Sequence, residues 1–388
     1  MSAETMGAWR SSEAVPVLVI GAGQAGLAAA YWLKQEGLAF IVVEAAERIG
    51  DSWRKRYSSL TLFTPRRFSA LPDLELGGDP EGYASRDEFA DYLERYAQVH
   101  GLPVSMGTTV EQLSQLGEGF GAITTTGGRI LAHNVIIATG GFQRAVVPAL
   151  AANIAGDVQQ LTAVSYGQPS GVVSGTVLVV GDGASGRDIA AELAPSHRVI
   201  LSTGKPRRLF PARILGRSVW WWLSLVGLMK AGRDSFVGRR MRSADPFPDR
   251  DRSFASLRRR GVTIVPRLDG ATGRKVRFAA GRMETIDAVV WAIGYRDETA
   301  WLTVPDALDD QGRFVEEGGV SPIPGLYFVG RPWQRNRASG LIMGVGDDAK
   351  MIAEAIVARQ RIAALREFRS PERIIPEAVV GTQSGGRA

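Results

Sequence analysis

Six glycines at matched spacing carry the first chemical information in this chain. Gly21, Gly23 and Gly26 stand in the run Val19-Ile20-Gly21-Ala22-Gly23-Gln24-Ala25-Gly26, and Gly181, Gly183 and Gly186 repeat the pattern in Val180-Gly181-Asp182-Gly183-Ala184-Ser185-Gly186. Such a loop turns tightly, lets the backbone approach a pyrophosphate, and seats it on the N-terminus of the next helix, where unpaired N–H groups and the helix dipole favour negative charge. Two loops imply two dinucleotides. Two dinucleotides imply redox chemistry.

The elements around the first loop stand in the required order. Residues 17–20 form a short apolar, β-branched run into Gly21, and 24–36, opening on Gln24 and Ala25, read as a helix ended by Gly37. Phe40-Ile41-Val42-Val43 then reads as a second strand ending at Glu44, a carboxylate about 20 residues past the loop that can accept hydrogen bonds from ribose hydroxyls. FAD and NAD share this pyrophosphate geometry and this acid, so the residues leave both open; the unit is assigned to FAD.

The second unit repeats the first with one difference. Residues 175–180 are again a strand and 185–193 again a helix, with Ala184, Ser185 and Arg187 at its start counted with Gly181, Gly183 and Gly186 in the second nucleotide's site. The following strand, Arg198-Val199-Ile200-Leu201, runs into Ser202-Thr203-Gly204-Lys205-Pro206-Arg207-Arg208 and has no acid where the first unit has Glu44. A carboxylate there would repel a 2′-phosphate, whereas Ser202, Thr203, Lys205 and Arg207 can bind one. NADPH is therefore expected, with NADH the alternative if those basic residues are only solvated loop charges.

The rest of the composition excludes other chemistries. With 388 residues the chain can bury two cores, and with no cysteine it has no dithiol, no thiolate nucleophile and no cysteine zinc site. His100, His133 and His197 are scattered without metal-ligand spacing, so no metal is expected. The net charge of +6 could suggest nucleic acid, but Arg239, Arg240, Arg242 and the arginines at 258–260 mix with Asp245, Asp249 and Asp251 and read as a solvated face. Residues 218–229, with Trp220-Trp221-Trp222, are too short for a bilayer span of about 20 residues. They read either as a lid or apolar entrance facing a substrate or membrane surface, or, preferentially, as an inserted helix pair packing on its own domain. No secretory leader is read, so a cytoplasmic location is expected; residues 1–14 and 369–388 read as frayed tails.

Further runs carry a family resemblance. They are Ile49-Gly50-Asp51-Ser52-Trp53, Ile136-Ile137-Ala138-Thr139-Gly140, Val290-Trp291-Ala292-Ile293-Gly294-Tyr295, Pro324-Gly325-Leu326-Tyr327-Phe328-Val329-Gly330-Arg331-Pro332-Trp333 and Gly340-Leu341-Ile342-Met343-Gly344-Val345-Gly346-Asp347-Asp348-Ala349. With the two glycine loops they make residues 17–357 resemble the class B flavin-containing monooxygenases, including the YUCCA-type and bacterial CzcO-like enzymes. The resemblance implies an α/β fold of glutathione-reductase-like architecture with two Rossmann-like domains. The FAD domain is expected at 15–166 and 287–368, and the NAD(P)H domain at 167–286 with a helical insertion at about 209–255. It adds Ser52, Trp53, Val110, Ala138, Thr139, Gly140, Gly330, Arg331, Leu341 and Gly346 to the FAD site, and Ala292 and Gly294 to the NADP site. A helix starting at Gly346 is expected to bury Met351, Ala355, Ala358, Ile362 and Leu365 and to aim its N-terminus at the flavin. Residues 122–131 read as a β-hairpin.

The implied activity is hydride transfer from NADPH to FAD, then activation of oxygen as a C4a-peroxyflavin that oxygenates a small organic substrate. Thr64, Thr162, Tyr295 and Asn336 are its implied polar residues near the ring. The chain departs from the family pattern at Thr162, in place of a fingerprint histidine; at Leu60-Thr61-Leu62-Phe63-Thr64-Pro65, where many members carry an asparagine; and at Asp51, in place of a glycine. The competing readings are an NAD(P)H-dependent flavoprotein reductase or dehydrogenase without productive oxygenation and, ranked last, a non-enzymatic flavin-binding sensor.

Overall fold

The structure is a computed structural model, and it describes residues 14–369 except 205, 206, 208, 245 and 246. Two sheets organise it. In the first, β1 (Val15–Ile20) and β2 (Phe40–Val43) run parallel with α1 (Gln24–Gln35) between them. α1 ends where Gly37 takes φ +68 and its amide donates to the Lys34 carbonyl, a left-handed stop that a side chain would strain. α2 (Asp51–Arg54) and α3 (Arg86–Val99) follow, the latter started by a capping box in which Ser85 and Glu88 satisfy each other's backbone amides.

β3 (Val104–Ser105), β4 (Val110–Leu116), β5 (Gly119–Thr124) and β6 (Arg129–Ile137) complete a sheet of order β3-β2-β1-β6-β5-β4, with the strand Leu326–Phe328 also on β6. β5 and β6 form the expected hairpin, turning at Gly127 with φ +74. β6 is long enough to pair antiparallel with β5 and parallel with β1.

The chain crosses to the second sheet through β7 (Arg144–Ala145) and returns through Tyr295–Arg296, and these two pair antiparallel. The second sheet contains β8 (Gln159–Thr162), β9 (Thr176–Val180), β10 (Arg198–Ser202) and the strands Thr263–Val265 and Ala288–Trp291, all parallel, with α4 (Ala184–Leu193) after β9. Its order is Thr263–Val265, β10, β9, Ala288–Trp291, β8.

This topology moves the expected boundaries. Gln159–Thr162 and Ala288–Trp291, grouped by sequence with the first domain, hydrogen-bond into the second sheet, so the crossings fall at β7 and Tyr295–Arg296 instead. The last helix also differs from expectation. It begins at Ile342, four residues before Gly346, and buries Val345, Ala349, Ile352, Ala353 and Ile356, the face turned to α1. Met351 and Ala355 flank that face, Ala358 is exposed, and Ile362 and Leu365 are 51% and 60% exposed because the helix has by then passed the body it packs on.

The insertion begins at strand Leu209–Pro211, which pairs with Phe247–Asp249. Between them lie the hairpin Arg213–Ile214 with Arg217–Ser218, then α5 (Val219–Leu225) and α6 (Phe236–Ala244). It does not pack on its own domain as expected. Trp220 is 2% exposed, donates to the Phe63 carbonyl at 2.9 Å, and joins Phe63, Phe68, Ala338, Leu341 and Met343 of the first half, an apolar surface large enough to hold an indole out of water.

Candidate functional site

The two glycine loops have almost the same geometry. Gly21 and Gly181 take φ +102 and +107, and their amides donate to Val43 and Ser202 carbonyls at 2.8 and 2.9 Å, which pins each turn to the neighbouring strand. Gly23 and Gly183 cap α1 and α4 with φ −72 and −71. A Cβ on Gly26 would lie 1.8 Å from the Gly21 carbonyl oxygen and one on Gly186 would lie 1.9 Å from that of Gly181, so both positions are forced by internal packing. At Gly23 and Gly183 a Cβ would meet nothing within 4 Å. These two glycines line open cradles beside helix N-termini, a fit for a pyrophosphate in each loop.

Around the first cradle, Glu44 directly follows β2, with its carboxylate accepting from the Ala22 and Ala46 amides at 2.6 and 3.0 Å, which ties the acid to the loop. Trp53 in α2 donates to Gln24 at 3.2 Å and meets Phe89 edge-on, while Ser52 is exposed. Ala25 closes the other side, touching Gly330, where a Cβ would come within 2.6 Å of the Ala25 methyl. Val110 is buried at the head of β4.

The second cradle is lined differently from expectation. Ser202 is 2% exposed, donates to the Pro266 carbonyl and accepts from the Leu268 amide, each at 3.0 Å, and Thr203 donates to the Val265 carbonyl at 3.1 Å. Both hydroxyls are therefore spent on the neighbouring strand. Arg187 is 1% exposed: it reaches the Asp182 carbonyl and carboxylate and the Arg252 carbonyl, and stacks 4.1 Å from the Phe254 ring. It buttresses the loop from behind. Arg207 stands exposed after β10, and Lys205 lies outside the described residues.

The two crossings meet between the cradles. The Ala138 and Ala292 amides donate to Ile20 and Val180 carbonyls at 2.9 and 2.8 Å, equivalent bonds in the two halves. Gln143 donates to Thr139 and Gly140 and accepts from the Glu298 amide at 2.7 Å, bridging one crossing to the other. Arg331 forms a two-pronged ion pair with Asp297, its Nη1 2.7 Å from Oδ1. Gly140 and Gly294 take φ +70 and +105 there. The Tyr295 hydroxyl is buried without a partner among the described residues, while its ring meets Phe142 edge-on and lies 5.4 Å from the Arg56 guanidinium.

The implied polar residues do not converge on one point. Asn336 is 8% exposed and lines a cavity of about 220 Å³ with Arg67, Phe68, Met229, Met343 and Asp347, although its Oδ1 is taken by the Ala338 and Ser339 amides. Thr64, 4% exposed, pairs with Ser69 at 2.7 Å in the segment that leads to Phe68. Thr162 ends β8 in the other sheet, where it and Ser165 satisfy each other's backbone amides. Tyr295 stands at the crossing. Leu341 packs on the Trp220 cluster, and Gly346 is held against Pro72.

Sequence reading missed several residues that set this geometry. Gln143 and Asp297 act through partners distant in sequence, as does Asp188 on α4, which accepts from Tyr57, Arg250 and Arg252 and so joins the two halves, while Asp182 acts through Arg187 five residues on. Asp348 is another. It is 1% exposed in the last helix, with Oδ1 3.3 Å from Arg335 and Oδ2 buried without a partner among the described residues. Burial pushes its pKa up to about 6 against the help of Ser339 and Arg335. A raised carboxyl pKa stabilises the fold fully below pH 3.8 and loses that contribution as pH rises through about 6. Asp348→Asn is therefore expected to melt higher than the parent above pH 6, by up to about 3 kcal/mol, with the gain vanishing near pH 4. Thermal melts across that range check it; destabilisation at every pH would refute it.

Residues 18–208 match the pyridine nucleotide-disulphide oxidoreductase family. The chain is 41% identical over 344 residues to an uncharacterized CzcO-like oxidoreductase of Geobacillus kaustophilus, covering 88% of this chain and 98% of that one. It is 28% identical over 380 residues to the indole-3-pyruvate monooxygenase YUCCA1 of Oryza sativa subsp. japonica, covering 87% and 90%. A flavin-containing monooxygenase from Stenotrophomonas maltophilia superposes with a TM-score of 0.75 at 26% identity, over 89% of this chain and 99% of that structure. The absence of cysteine separates the chain from dithiol members of the matched family.

Proposed function

As a member of the class B flavin-containing monooxygenases, in their CzcO-like branch, this chain is a flavin-dependent oxidoreductase, and we propose that it spends NADPH to oxygenate a small organic molecule. The observation that carries the proposal is the pair of open cradles at Gly23 and Gly183, alike in dihedral and hydrogen bonding, on two halves that meet at the clamped crossings. When bound, FAD supplies the hydride acceptor and the oxygen-activating centre, and NADPH the hydride.

The protein's own residues do the holding. Gly21, Gly23 and Gly26 shape the seat for the FAD pyrophosphate, and Glu44, already fixed by two amides, presents its remaining lone pairs to a ribose. Gly181, Gly183, Ala184 and Gly186 form the second seat, and the exposed Arg207, five residues past the end of β10, is the cation this reading assigns to a 2′-phosphate. The Gln143 bridge and the Arg331–Asp297 pair hold the crossings in register, which fixes how the two seats face each other. The N-terminus of the last helix, at Ile342, would offer positive dipole to bound flavin, and Trp220, Phe63 and Phe68, packed with Leu341 and Met343, would keep water from that end. Dependence on NADPH over NADH follows from the missing acid after β10.

Anaerobic mixing with each nicotinamide, followed by labelled oxygen and a panel of apolar substrates, tests the proposal. The expected result is faster flavin bleaching by NADPH than by NADH, and label in an organic product. Stoichiometric hydrogen peroxide from every substrate would reject oxygenation and support the reductase reading, which the locally occupied Thr162 hydroxyl favours.

A further inference from the structure

Most of the chain's excess of positive charge lies in the inserted segment. Residues 209–249 hold seven arginines and lysines against Asp234, Asp245 and Asp249, a net +4 out of the +6 of all 388 residues. The same segment puts large apolar side chains into water. Leu215 is 87% exposed at the tip of the hairpin Arg213–Ile214 with Arg217–Ser218, and Leu225 and Val226 are 65% and 64% exposed at the end of α5.

These side chains form one surface. Trp222 donates from its indole to the Ile214 carbonyl at 3.0 Å, tying the hairpin tip to α5, and Trp222, Leu225 and Val226 stand three and four residues apart on one helix face. Arg213 and Arg217 flank the tip on its two strands. Glu81 of the first half touches both from the inner side, yet the Arg217 side chain remains 51% exposed. Leu215 also takes φ +49, a left-handed turn position that favours glycine or asparagine. Neither packing nor turn chemistry explains a solvated leucine there.

We propose that this face docks on a bilayer surface containing anionic lipid. Leu215, Leu225 and Val226 enter the boundary between headgroups and acyl chains, while Arg213 and Arg217 beside the tip lie at the level of the lipid phosphates. Among the described residues no helix is long and apolar enough to cross a membrane, so the contact is with one leaflet. Charge argues against a second copy as the occupant, because two faces of net positive charge repel, and the aliphatic tip argues against nucleic acid. Ser224 and Gly227, which bracket Leu225 and Val226, line the 220 Å³ cavity, so the docked edge adjoins it. Delivery of an apolar substrate from the bilayer to that cavity rests on the proposed function; the docking does not, and is measured without turnover.

The test is co-sedimentation of the full-length, flavin-loaded protein with vesicles of phosphatidylcholine alone or with a third phosphatidylglycerol. Binding is expected to be at least about tenfold stronger to the anionic vesicles and to weaken with salt. Leu215→Asp with Leu225→Asp, and separately Arg240→Glu with Arg242→Glu, should each lower it about tenfold, with flavin content, melting temperature and NADPH-driven bleaching unchanged. If the aspartate pair fails to fold, the arginine pair at exposed positions carries the test. Equal sedimentation with both vesicle types, or unaltered binding by the arginine pair, overturns the proposal. So does a dimer in light scattering that the substitutions dissociate without any vesicle binding, since it assigns the face to a second copy.

Discussion

Gly23→Ala is expected to yield a folded, colourless protein. The new methyl group meets nothing within 4 Å, and φ −72 suits alanine, so the empty chain gains no strain. The only thing the methyl can displace is whatever lies in the cradle. Overpacking against a pyrophosphate held by backbone amides costs about 3 kcal/mol, roughly a hundredfold in flavin affinity. Gly183→Ala makes the complementary case: it should purify yellow, bleach normally by photoreduction, and lose NADPH-driven bleaching by roughly a hundredfold. Gly26→Ala is the contrast, because a methyl 1.8 Å from a carbonyl oxygen damages the loop itself and should lower the melting temperature as well. Flavin absorbance, melting curves and bleaching rates of the three variants separate these outcomes. Full flavin retention by Gly23→Ala would remove the first cradle from the proposed function, and NADPH bleaching at the parental rate in Gly183→Ala would remove the second.

What the sequence made legible is what local backbone dictates. The glycine loops, the strands into them, Glu44 and the hairpin at Gly127 depend on residues close in sequence, and each stands where spacing predicts. Side-chain roles that depend on distant partners were not legible. Ser202 faces Pro266 and Leu268 instead of a phosphate, because β10 lies beside Thr263–Val265 and its last hydroxyl satisfies the turn that follows that strand. The domain boundary slipped for a similar reason: Gln159–Thr162 is too short and polar to announce its sheet, and only pairing with Ala288–Trp291 assigns it. In the last helix alanines on two faces blurred the periodicity, and contact with α1 chose the face. The insertion's tryptophans read as apolar, but which half they pack on depends on Phe63 and Phe68, about 150 residues earlier.

Arg187→Met should be among the most destabilising single changes in the second half. The sequence placed this arginine in the NADP site on the strength of its position in the first turn of α4; the structure instead buries it, with Nε on the Asp182 carbonyl, Nη2 3.2 Å from the Asp182 carboxylate and Nη1 on the Arg252 carbonyl. Methionine fills most of the volume against Phe254 but leaves Asp182, 4% exposed, with the Gly204 amide at 3.3 Å as its remaining donor among the described residues. An uncompensated buried charge of this kind costs about 3–5 kcal/mol, a fall of roughly 10 °C in melting temperature for a domain of this size. Removing the second charge should restore much of it, so Asp182→Asn combined with Arg187→Met is expected to melt well above Arg187→Met alone. The two assignments of Arg187 then part cleanly. A buttress lowers the melting temperature of the cofactor-free protein and is partly rescued by the double substitution. A nucleotide ligand leaves the cofactor-free melting temperature unchanged, raises the KM for NADPH, and gains nothing from Asp182→Asn.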